Sequence, residues 1–147
     1  MQTPVTPLTD AFVADVRTTF ADPKLEVRFV YNGAGDDGWF DDWTINFTDD
    51  NLSSWHAEHV ESKGGISWNG DPMPPSTVER AAKMIALCNR HDISAIYREL
   101  GVILCKRYPG WEIDDGGSGA FVFCADGTRK HEHTTNVTTY EDEEQPF

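Results

Sequence analysis

Basic residues are scarce in this chain. Twelve lysines and arginines stand against 25 aspartates and glutamates, for a net charge of −13. Such a surface cannot neutralise phosphates, so bare nucleic acid is a poor direct partner. Long apolar runs are also missing. No stretch approaches the ~20 residues of a membrane span. The N-terminal MQTPVTPLTD lacks the basic and apolar regions of a secretory signal, and a cytoplasmic location is expected. Cysteine is limited to Cys88, Cys105 and Cys124, an odd number at wide spacing and all in apolar runs. This predicts reduced, buried thiols rather than a disulfide framework or a CxxC zinc site. No G-x-S-x-G elbow, HExxH helix or EF-hand spacing occurs either.

What remains suffices for a folded core. The 147 residues fit one domain, 1–147, and aromatic residues make up 12% of them, with five Trp. Residues 1–8, with Pro4 and Pro7, read as a flexible arm. Thr9 or Asp10 can cap a first helix to about Ala21, with Phe12, Val13, Val16 and Phe20 at helical spacing. LEVRFVYNG (25–33) and WFDDWTINF (39–47) alternate as strands and flank Gly33-Ala34-Gly35-Asp36-Asp37-Gly38, a glycine-rich hairpin turn. Asp41 falls on the apolar face and Phe40 on the polar one, which predicts a bulge near the turn, with Trp39 and Trp43 anchored in the core. Between 49 and 75, WHAEHVES and GISWNG read as short strands, followed by a stiff DPMPP linker.

Ser76 and Glu79 form a capping box ahead of the stripe Val78, Ala81, Ala82, Ile85 and Cys88. Asp92 can cap a third helix, which ends near Tyr108. Trp111 and Ile113 precede a glycine-rich turn between strands, Phe121 and Phe123 follow it, and a further strand occupies about 128–140 after an Asp126-Gly127 turn. The acidic tail 141–147 is expected to fray. The predicted class is α+β: an antiparallel sheet of four to five strands with about three helices on one face.

Asp114-Asp115-Gly116-Gly117 forms a second glycine–acid turn. Tyr31, Gly33, Gly35, Asp36 and Gly38 give Y-x-G-x-G-D-x-G. Gly110, Trp111, Glu112, Asp115, Gly116, Gly119, Phe121 and Phe123 give G-W-E-x-x-D-G-x-x-G-x-F-x-F. With these motifs the chain resembles a bacterial domain-of-unknown-function family, number 6878. The resemblance implies an α+β domain and no particular reaction. By analogy with small acidic proteins on mobile elements, it raises the expectation of interference with host defence.

Paired aspartates could bind a metal or share acid and base roles. Yet Gly and Asp are also the usual residues of turns with positive φ. His56-x-x-His59 and His131-x-His133 are metal candidates only if the fold unites them; otherwise they are exposed histidines on edge strands. Trp39, Trp43, Trp55, Trp68 and Trp111 could form a ligand-stacking wall, although Trp39, Trp43 and Trp111 read better as core.

The clearest feature is the charge map. Residues 32–50 carry −6, 109–127 carry −4 and 131–147 carry −5, with no Lys or Arg in any of them, whereas 76–108 carry +3. The expected function is a non-enzymatic binding protein that presents carboxylates to a basic groove, as an inhibitor of a nucleic-acid-handling complex of the anti-CRISPR or other anti-defence type. Asp36, Asp37, Asp41, Asp42, Asp114 and Asp115 are the candidate contact residues, with Glu141 and Asp142 of the tail assisting. No cofactor is expected. The alternatives are a small metal-dependent hydrolase that uses the aspartates or histidines, and an interaction subunit that self-associates through its helical pair with Arg98 and Lys106. In that last reading the acidic surface serves solubility.

Overall fold

A computed structural model describes residues 6–34, 37–66, 69–107, 117–135 and 141–146. The architecture is α+β: a six-stranded antiparallel sheet with four helices. In chain order the elements are α1 (Pro7–Phe20), β1 (Glu26–Ala34), β2 (Asp37–Asn46), β3 (Asn51–Ser53), α2 (Ser54–Ser62), α3 (Pro75–Arg90), α4 (Ile93–Arg107), β4 (Gly117–Cys124), β5 (Arg129–Thr135) and β6 (Glu141–Pro146). The strands lie in the order β3-β2-β1-β4-β5-β6. The three helices α2–α4 are therefore inserted between two neighbouring strands, β1 and β4.

One sheet face is apolar because alternation puts Val27, Phe29 and Tyr31 of β1 on the same side as Phe121 and Phe123 of β4. All five are buried, and they form one cluster with Phe12 and Val16 of α1, Met84 and Leu87 of α3, and Leu100 and Leu104 of α4. Phe12 meets Trp43 edge-on at 5.0 Å between ring centroids. The opposite face carries Arg28, which pairs with Glu132 of β5 at 2.5 Å and with Glu26 at 3.5 Å.

The β1–β2 hairpin contains the expected bulge. Phe29 pairs with Trp43 and Tyr31 with Phe40, so Asp41 and Asp42 together stand opposite Val30. The extra residue reverses the side-chain parity of β2. Trp43 stays in the core, but Phe40 now turns inward and stacks on Tyr97 of α4 at 5.2 Å and 5°. Trp39 turns outward and is 47% exposed, which corrects its assignment to the core.

Several expectations give way. Among the described residues there are four helices rather than about three, because WHAEHVES is α2 and not a strand. Ser53 caps it, its side chain accepting from the His56 N–H at 3.1 Å. Pro7 and Leu8 belong to α1 rather than to a loose arm, and its first N–H groups are capped from outside. Glu99 of α4 accepts from the N–H of Leu8 at 2.9 Å and of Thr9 at 3.0 Å. Helix α3 starts at Pro75 with Pro74 as its N-cap and no side-chain cap bond, so Ser76 and Glu79 do not form a capping box. Cys105 is exposed, while Cys88 and Cys124 are half-buried. Residues 141–146 of the tail pair with β5 as β6 rather than fraying.

Candidate functional site

The register of the sheet assembles the acidic segments. Gly33 pairs with Gly38 on one side and Gly117 on the other; Gly117 pairs with Thr135, and Thr135 with Glu141. These five residues form one row across β2, β1, β4, β5 and β6, at one end of the sheet. The β1–β2 ladder ends here with Ala34 paired to Asp37. The chain that holds Asp114 and Asp115 leads into this end at Gly117, and the acidic β6 begins on it. The starts of β2, β4 and β6 are two strand widths apart in turn, roughly 10 Å.

Individual candidates fall as follows. Asp36, Asp114 and Asp115 lie outside the described residues. The backbone of Asp37 pairs with Ala34, and Asp42 belongs to the bulge. Asp41 has a defined role within the hairpin. Its carboxylate accepts from the Asn32 side-chain amide and, at 3.0 Å, from the Trp39 indole N–H. Its carbonyl accepts from the Tyr97 hydroxyl at 3.2 Å. Asp41 thereby fixes the exposed ring of Trp39 at the acidic end. Glu141 and Asp142 pair with Thr135 and Thr134.

Two residues in from that end lies a buried polar network that the sequence reading missed. Tyr31 Oη is 2.8 Å from Nε2 of His131 and 2.5 Å from Nδ1 of His133. Tyr31 and His131 are fully buried and His133 nearly so. The histidines are thus not exposed, and β5 is not an edge strand. Tyr31 reaches them across β4 because its neighbour there is Gly119. A Cβ on Gly119 would collide with the Glu132 carbonyl and come within 2.6 Å of Tyr31 Oη. A Cβ on Gly117 would come within 2.8 Å of the His133 ring.

The proton positions follow from Arg107, whose guanidinium has only donors and lies 3.4 Å from Nδ1 of His131. His131 Nδ1 therefore accepts, its Nε2–H donates to Tyr31, and the Tyr31 hydroxyl donates to Nδ1 of His133. Burial, followed by the charges of Arg107 and His133, pushes the His131 imidazole down to about 3. His131 is neutral at ordinary pH, which this one-directional chain of donors requires. Alternation along a strand already places both histidines on one face, as both are buried here, but only the glycines of β4 reveal that Tyr31 can reach them.

The other histidine pair lies on α2. His56 is exposed, and His59 stacks against Trp55 with centroids 3.9 Å apart. Among the described residues no three His, Cys, Asp or Glu side chains are grouped to hold a metal, so the two histidine pairs do not converge. Arg98, Val102 and Lys106 are all on the exposed side of α4. Among the described residues, no helix is long and apolar enough to cross a membrane.

No family model, no curated protein and no solved structure matches the chain.

Proposed function

We propose that this protein is a non-enzymatic binding module whose acidic sheet end docks on a basic protein surface. The observation that carries this reading is the pairing of Gly33 with both Gly38 and Gly117, which puts the strand ends that border two separate glycine–acid segments side by side at one end of the sheet. The start of β6 shares the same row. Exposed Trp39, oriented by Asp41, supplies the aromatic anchor that interface centres favour.

In its most specific form the partner surface is a nucleic-acid groove of a defence complex, with the carboxylates standing in for phosphates. The net charge of −13 supports that form, as does the crowding of acids into segments free of Lys and Arg. The likeness to the domain-of-unknown-function family belongs to the same reading. Its motif residues Tyr31, Gly33, Gly119 and Phe121 are neighbours on β1 and β4.

The test compares the native protein with the Asp36→Lys/Asp37→Lys double variant as bait in host extract, washed at low and high salt. The expected result is a captured basic protein that high salt releases and the variant does not bind, although the variant keeps its circular dichroism and melting temperature. Equal capture by the folded variant would refute the proposal.

A further inference from the structure

A second feature lies away from the acidic end. Between α2 and the turn after it runs a cleft of about 380 Å³, lined by Trp55, His56, His59, Lys63, Ile66 and Met73, together with Ser53. That volume falls within the range of small-ligand sites. Trp55 and Ile66 are 52% and 42% exposed, two of the five large apolar side chains most open to solvent among the described residues. Solvated tryptophan and isoleucine in one concavity are not explained by the core.

The walls of the cleft are braced. On one side Trp55 and His59 are a turn apart on α2 and lie ring against ring at 3.9 Å, tilted by 34°. On the other, the turn is fixed by Gly64 and Gly65 at positive φ, by the Met73 N–H donating to the Gly65 carbonyl at 2.8 Å, and by a bridge between Ile66 and Pro72.

Charge distinguishes the cleft from the rest of the surface. In a chain with 25 acidic residues, none of the described residues that line it carries a carboxylate. Among the described lining residues the formal charge comes from the Lys63 ammonium, which has three donors, and the imidazoles of His56 and His59 add N–H groups. An apolar and aromatic slot with a cationic side suits a flat ring with an anionic substituent. We propose that this cleft binds a small planar aromatic ring bearing a carboxylate or a phosphate. The ring lies against Trp55 between Ile66 and Met73, and the anion meets Lys63 and an imidazole N–H.

This site is independent of the acidic end. Ser53 pairs with Thr44, six residues along β2 from Gly38, or roughly 20 Å.

The test titrates the protein with 2-naphthoate and with adenosine 5′-monophosphate, followed by the indole N–H signal of Trp55 in NMR. 2-Naphthyl methanol, adenosine and inorganic phosphate are run in parallel. Saturable binding of at least one aromatic anion is expected, and which one binds separates carboxylate from phosphate. Trp55→Ala should weaken it about tenfold, the scale of a lost aromatic stack. Lys63→Gln should reduce the anion's affinity toward that of its neutral counterpart. Trp55 is half exposed, so both variants are expected to keep the native melting temperature. The proposal is overturned by no saturation at millimolar concentration, by equal binding to Trp55→Ala, or by inorganic phosphate or the neutral rings binding as well as the aromatic anions.

Discussion

Lowering the pH from 7 to 5 is expected to destabilise the fold by about 2 kcal/mol through His131. In the native state burial pushes its imidazole down to about 3, against an ordinary value of 6.5. The unfolded chain takes up that proton near pH 6.5 and the folded chain does not. The stabilisation is therefore complete above 6.5 and is lost as the pH falls toward 3. A single group with these two values removes about 2 kcal/mol at pH 5, about 3 kcal/mol at pH 4, and at most ~5 kcal/mol. Against a total stability on the order of 5–15 kcal/mol this is a large share.

The window from 6.5 to 5 is clear of the shifted carboxylates. Hydrogen bonds from Arg90 and His91 hold Asp15 below 3.8, and those from Thr48 and Lys24 hold Asp22 there, so both lose their contribution only at lower pH. Urea unfolding at several pH values would measure the effect in native protein and in His131→Gln, with the slope m checked for constancy. The variant should be less stable at pH 7 yet fall less between 6.5 and 5, by about the 2 kcal/mol assigned to the imidazole. If both proteins lose the same stability over that window, the reasoning about His131 is wrong.

Tyr31→Phe should cost about 1–3 kcal/mol, because it leaves two buried imidazole nitrogens facing no hydroxyl; a change within error in urea unfolding would contradict the network. Gly119→Ala should destabilise by about 1–3 kcal/mol, since its Cβ meets the Glu132 carbonyl, which is backbone and has little room to yield. Thermal melting would show this, and the drop should exceed that of Phe121→Leu, which keeps most of the buried volume. Phe40→Ala should cost about 3 kcal/mol by opening a gap under Tyr97, whereas Trp39→Ala should leave the melting temperature nearly unchanged. The reverse order would show that the bulge does not exchange their faces. Once a basic partner is in hand, Trp39→Ala should weaken its binding by about 2 kcal/mol, as read by calorimetry.

The elements legible in the sequence were those whose local signals agree. β1 alternates cleanly, α4 repeats its apolar residues every three or four positions, and the mismatch of Phe40 and Asp41 already implied a bulge. The bulge also accounts for Asp41 in a strand, where its carboxylate has two local donors. Helix α2 was hidden because it buries only Ala57 and Val60, too few to set a helical period. The capping box failed because Pro75 had already started the helix two residues earlier than a Ser76 cap would, where its missing N–H costs nothing. β6 was unreadable because acids disfavour strands. Its pairing comes from the open edge of β5. The alignment of Gly117 with Gly33 could not be seen locally either, since β1 and β4 are more than eighty residues apart and only the long crossover makes them neighbours.

The reach of Tyr31 over Gly119 bears on how the sheet comes apart. β1 and β5 do not touch through their backbones, yet the Tyr31 hydroxyl joins them above the strand between them. Peeling the C-terminal strands from the sheet therefore breaks side-chain bonds to its centre as well as the ladder to β4. The amides of β5 should accordingly exchange with deuterium at rates close to those of β1, as one cooperative unit. In Tyr31→Phe that unit should divide, with β5 exchanging first.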